Sequence, residues 1–163
     1  MTVKTTVVPA VLDYLVSTFQ ADPNIGAASP PVAVYDGPVT TAAPGQLVLW
    51  VGLSDPDSVA APLGAESQQQ WVGIGAKTRD EFVTIYCVAE AWTGATDVRT
   101  VRLSAYGIVA AVEQILAADP TLGGNVLFTD NTMPQRQLRQ NNTTAGQLAR
   151  VMFTIKAKAR IGG

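Results

Sequence analysis

Histidine is absent from this sequence, and cysteine occurs once, as Cys87. The missing histidine removes the usual general base, the usual proton shuttle and the commonest zinc ligand together. With only one cysteine beside it, Ser-His and Cys-His triads and cysteine-histidine zinc sites are excluded as well. Cys87 has no partner for an internal disulfide, and its place in an apolar strand pattern reads as a buried, inert thiol. Long hydrophobic runs are also lacking: no stretch approaches the ~20 apolar residues of a membrane span. The opening "MTVKTTVVPAVLDYLV" has one lysine, an apolar stretch broken by Pro9 and Asp13, and no small-residue cleavage site. It reads as the mature start of a helix, not as an export signal. The expectation is a chain with no cofactor, no metal, no membrane partner and no enzymatic activity.

Two strings bear on that expectation. "SDPDS" at 54–58 sets Asp55 and Asp57 close together, but a calcium loop needs more oxygen ligands at definite spacing, and a proline between two acids is ordinary turn chemistry. "GIGAKT" at 73–78 has Ala76 where a phosphate loop needs glycine before its lysine. The β-branched and aromatic run "EFVTIYCV" follows where that loop would open a helix.

What is present is a chain of 163 residues with 47% apolar content, read as one domain, 1–163, that buries about 70% of its unfolded surface. Its three tryptophans, Trp50, Trp71 and Trp92, each head a Trp-(Val or Thr)-Gly triplet, at a constant spacing of 21 residues. The flanking residues do not match in that register, so a repeat architecture is excluded. The spacing reads as three successive strands of one sheet, each glycine leaving a gap beside its tryptophan for packing.

Helical spacing of Val8, Leu12, Leu15 and Phe19 predicts a first helix over about 8–21, with Pro9 tolerated in its first turn and "ADPNIG" ending it. "VAVYDG" and "QLVLWVGL" read as strands, and "SDPDSVAAPLGAESQQ" as a turn-rich excursion before a third strand near Trp71. "EFVTIYCVAEAW" is the strongest strand signal. Val83, Ile85, Cys87, Ala89 and Ala91 form one apolar face and Phe82, Tyr86, Val88 and Trp92 another, so both faces are expected to be covered. Asp97 then caps a long helix to about Ala118, ended by "ADPTLGG". "NVLFTD" is a strand and "NTMPQRQLRQNNTTAG" a polar excursion. In "QLARVMFTIKAKARI" the residues Val151, Phe153, Ile155, Ala157, Ala159 and Ile161 alternate with Met152, Thr154, Lys156, Lys158 and Arg160. The excursions, at about 54–70 and 131–146, are expected to be mobile in an isolated subunit.

Charge divides along the chain. Beyond Asp130 there are six basic residues and no acid, whereas the first 130 residues hold five basic and thirteen acidic ones, so a net of −2 hides −8 against +6. The row Lys156, Lys158, Arg160 has three readings at this stage: a solvated strand face that blunts an edge, pairing with a neighbouring subunit, or a surface facing DNA in a channel.

In this element order, the stretch "VEQILAADPTLGGNVLF", the closing "ARVMFTIKAKARI" and an opening helix followed by "VYDGP" resemble the tail terminator (tail completion) family of long-tailed bacteriophages. The resemblance implies an α+β domain, a mainly antiparallel sheet packed by two helices. It implies a structural role without catalytic residues: a homohexameric ring that caps the tail tube and offers the joining surface for the head. The implied partners are other copies of the chain, the tail-tube protein and a head-side connector or stopper, with genomic DNA passing through the channel. The implied location is the virion tail or neck, after assembly in the host cytoplasm. In that light Asp55, Asp57, Arg136 and Arg139 are candidate rim-loop contacts, and Lys156, Lys158 and Arg160 candidate intersubunit or channel-facing residues. The alternatives are another neck component, either connector or stopper, and a small nucleic-acid-binding domain suggested by the basic final third. Against the latter stand the acidic whole and the lack of a basic stripe interleaved with exposed aromatics.

Overall fold

The computed structural model describes residues 4–38, 46–58, 60–94, 97–130, 136–143 and 146–162. Helix α1 spans Val8–Ala21 and is followed by β1 (Ala33–Asp36), β2 (Leu47–Val51), β3 (Ala65–Trp71) and β4 (Thr78–Thr93). Helix α2 (Val98–Ala118), β5 (Phe128–Asp130), β6 (Arg136–Thr143) and β7 (Gly146–Gly162) complete the chain. The strands form one sheet in the order β1-β2-β4-β7-β5, with β3 added beside β4 and β6 beside β7. β1 runs parallel to β2, and the other pairings are antiparallel. This is the expected α+β arrangement, a predominantly antiparallel sheet packed by two helices.

Both helices lie where the sequence puts them because their stop and start signals are local. Asp97 caps α2 by accepting from the backbone N–H of Arg99 (3.0 Å) and Thr100 (3.4 Å). Each helix ends on the aspartate of an Asp-Pro pair, Asp22 and Asp119. Behind α1, Gly26 donates to the Phe19 carbonyl (3.0 Å), and a Cβ there would lie 2.1 Å from the Gln20 carbonyl oxygen. Behind α2, Gly123 has φ +67° and presses on the Tyr14 ring, so a Cβ would stand 2.8 Å from it. α1 and α2 share one side of the sheet. There Val11, Leu15 and Phe19 meet Val83, Ile85, Cys87, Phe153, Ile155 and the α2 stripe of Val101, Ala105, Ile108 and Val112 in one core. Helix α2 is long and apolar enough by composition to cross a membrane, contrary to the expectation that no stretch comes near. Its alanine-rich sequence raises the mean despite Arg99, Arg102 and Glu113, and its apolar stripe is buried against the sheet.

Four expectations need correction. Residues 65–70 are not part of an excursion but strand β3, which pairs with β4 from Ala65↔Ile85 to Trp71↔Arg79; the third strand ends at Trp71 instead of beginning there. Residues 136–143, expected within the second excursion, are strand β6, paired with β7 from Arg136↔Phe153 to Thr143↔Gly146. The rest of that excursion, 131–135 and 144–145, lies outside the described residues, as do 39–45 of the stretch before β2. Polar strands of this kind are held by ladder hydrogen bonds to a long neighbour, and no apolar alternation announces them. The tryptophans do sit in three successive strands, but in three environments: Trp50 is 4% exposed and Trp71 62%, while Trp92 is half-buried. The gap idea holds at Gly52, where Leu12 of α1 closes in, and fails at Gly73, which faces open space. Finally, β4 is central but has helices on one face only.

Candidate interaction surfaces

The face of the sheet turned away from the helices is built from alternate residues of β4 and β7, held opposite one another as Phe82↔Lys158, Thr84↔Lys156, Tyr86↔Thr154, Val88↔Met152 and Glu90↔Arg150. Its upper half is closed. Val48, Trp50, Leu53 and Val88 make a small second core with Tyr35 and Met152 beside it, and the segment after β2 crosses here, Gly52 and Leu53 both donating to the Tyr86 carbonyl (2.8 and 3.0 Å). Arg150, 9% exposed, seals that half. Its Nε and Nη2 donate to Glu90 Oε2 (3.0 and 2.7 Å) and its Nη1 to Asp57 Oδ2 (2.5 Å). Burial alone would lower its pKa, and the two carboxylates outweigh that and raise it.

The lower half is bare. Phe128 of β5, Lys158 of β7 and Phe82 of β4 stand side by side across three strands, the rings 52% and 44% exposed and the Lys158 ammonium 5.3 Å from the Phe82 ring centre. They border a depression of about 440 Å³ whose other walls include Glu66, Thr84 and Lys156. A second depression, about 580 Å³, continues toward Asp55 and Arg139 past Tyr86 and Thr154. Between the two, the Tyr86 hydroxyl donates to Glu66 (2.9 Å), and that bond, with burial, raises the tyrosine pKa. The Thr154 hydroxyl is buried without a partner.

The predicted site residues do not form one cluster. Lys158 and Arg160 both reach Asp80, at 3.1 and 2.9 Å, and hold its carboxyl below the usual range, the Arg160 hydrogen bond contributing most. Lys156 makes no ion pair among the described residues. Arg139 faces Asp55 at 3.7 Å, Asp57 faces Arg150, and Arg136 pairs with Glu113 of α2 on the opposite side of the sheet. Five of the six basic residues of the final third are thus paired with acids of the first two thirds. The charge division along the sequence is largely neutralised in space by the β4–β7 register. Sequence reasoning missed Glu90, Arg150, Asp80, Phe82 and Phe128; the alternation in β4 and β7 gives their face, but no local signal says which face the helices leave open.

A third surface is the turn joining β3 to β4, where Trp71, Val72 and Ile74 are exposed together. Among the described residues no group of three or more His, Cys, Asp or Glu side chains is arranged to hold a metal ion. Cys87 is buried, and burial pushes its thiol up to about 12. No protein-family model matches the chain, and no curated protein matches it.

Proposed function

We propose that this chain is a structural subunit of a bacteriophage tail, a tail-terminator-like ring former that caps the tail tube and offers the surface on which the head-side connector or stopper docks. The observation that carries the reading is the bare lower face. Half-exposed Phe82 and Phe128 flank Lys158 beside paired carboxylates, a mixture of aromatic area and polar rim that suits a protein partner. The order of helices and strands, the Asp-Pro-Thr-Leu-Gly-Gly stop running into β5, and the long terminal strand also support it through the family resemblance. Lys156, free of ion pairs among the described residues, is the basic residue of the row with charge to offer a neighbour or DNA. The test is the mass of the purified chain in solution, alone and with a tail-tube protein. A ring of fixed mass that binds the tube end is expected, and a chain that remains monomeric and ignores the tube would overturn the reading.

One observation favours a second reading. The Phe128–Lys158–Phe82 row is an open-sheet platform on which bases can stack beside a cation, as single-stranded nucleic-acid binders use. Glu66, Asp80 and Asp130 share that face and oppose a phosphate backbone. Tight, salt-sensitive binding of single-stranded DNA by a monomer would decide for it.

A further inference from the structure

The β3–β4 turn and a cleft at the far end of β4 are complementary. The turn, residues 72–77, is closed by Val72 N–H to the Thr78 carbonyl (3.2 Å) and Ala76 N–H to the Gly73 carbonyl (3.0 Å). It presents Trp71, Val72 and Ile74, with Ile74 wholly exposed. Gly73 and Gly75 flank Ile74, and a Cβ built on either would meet no atom within 4 Å. The tip is therefore slim and projects clear of its own chain, apart from the Arg79 guanidinium 5.7 Å from the Trp71 ring. Turns are ordinarily built from small and polar residues. Three large apolar side chains here bury nothing in the monomer, and such clusters mark contacts with other molecules.

At the opposite end of the same strand, Pro30, Pro31, Leu47, Ala91, Val101 and Ser104 line a mainly apolar cleft of about 430 Å³, within the ~300–1,000 Å³ range of concave binding sites. Leu47, Ala91 and Val101 belong to the helix side of the sheet. Trp71 lies on that side too, because it pairs with Arg79, an even number of residues from Val83. The 16 residues of β4, at about 3.3 Å each, separate tip from cleft by about 50 Å, so no chain fills its own cleft with its own hairpin.

We propose that the hairpin tip of one copy, led by Ile74 and Trp71, seats in this cleft of the next copy. An apolar tip and an apolar cleft on the same side and at opposite ends of one chain make a head-to-tail contact. Such a contact leaves one tip and one cleft free, so it propagates until a ring closes or a chain runs on. The inference deepens the ring reading by naming the surfaces between subunits, and rests on it only for closure.

The test uses the full chain in three forms: unchanged, with Trp71→Ser and Ile74→Ser together, and with Ser104→Trp to fill the cleft. Gln46→Trp, at an exposed residue of the same rim, serves as a second cleft variant should Ser104→Trp fail to fold. Light scattering is expected to give an oligomer for the unchanged chain and monomers for either variant, with unchanged circular dichroism. An equimolar mixture of the two variants should give dimers that grow no further, because one intact tip meets one intact cleft. A hairpin variant that keeps the oligomer mass overturns this contact and leaves the ring reading standing; a mixture that stays monomeric also overturns it. Open chains of rising mass, abolished by the hairpin variant, uphold the contact and overturn the closed ring.

Discussion

The two faces of β4 are made by the same 16 residues and behave oppositely. On the helix side Val83, Ile85, Cys87, Ala89 and Ala91 are all at most 1% exposed. On the other side the strand passes from half-exposed Phe82 through Thr84 and Tyr86 to buried Val88 and Glu90. The first face is a core, where every side chain has fixed neighbours. The second is part core, part ion pair and part open surface, and its apolar residues are not all there to be buried within the chain. Hydrophobic character along a strand therefore reports where burial is possible, and the layer above decides whether it happens within one molecule or between two.

The largest effect that sharpens this contrast comes from changing each face in turn. Ile85→Asp should prevent folding, since an unpaired buried carboxylate costs several kcal/mol against a total stability of order 10. Phe82→Ser, three positions earlier and on the bare face, should cost about 1 kcal/mol or less. Thermal melts followed by circular dichroism compare them, and a cooperatively melting Ile85→Asp protein would contradict the assignment of the buried face. Next in size is the seal on the upper half. Arg150→Ala leaves Glu90 buried and unpaired and should cost about 3–5 kcal/mol in urea unfolding, whereas Arg150→Met with Glu90→Leu should recover most of it. A double variant as weak as the single one would show that Arg150 acts through packing alone.

The smallest effect belongs to the helix layer. Asp119 accepts from Thr121, Gly123 and the Tyr14 hydroxyl, and these bonds, the Thr121 side chain first, hold its carboxyl at about 2. A depressed carboxyl gives stability that is present above the unfolded value near ~3.9 and lost as pH falls through about 2. Asp119→Asn should therefore lower stability at neutral pH and flatten the acid limb between about pH 4 and pH 2. An unchanged acid limb in that variant would remove Asp119 from the account.

Both helices, the central strand and β7 are legible in the sequence because their signals are local: Asp97 as a cap, Asp22-Pro23 and Asp119-Pro120 as stops, strict alternation from Val151 to Ile161. Strands β3 and β6 are not. "AESQQQW" and "RQLRQNNT" are composed as loops are, and only the long neighbours β4 and β7 supply their hydrogen bonds. The ion pairs escape sequence reading for a related reason. Arg150 meets Glu90 and Asp57 across sequence separations of 60 and 93 residues, and the register that joins them is a property of the whole sheet. Lys158 and Arg160, read as charge available to a neighbour, are in fact engaged with Asp80, so reversing both to Glu would disturb the chain's own sheet before it tested any assembly.

The pairing of β4 with β7 also sets an order of events during synthesis. β4 ends at Thr93 and β7 opens at Gly146, yet the two are joined along 16 residue pairs. At about 5–20 residues per second on the ribosome, β4 is complete for several seconds before its longest partner exists. During that interval one edge of the most apolar strand in the molecule is an open template for another nascent chain. The yield of soluble protein is therefore governed by translation speed and chaperone access between residues 93 and 146, and slower elongation there, which would help many proteins, should harm this one.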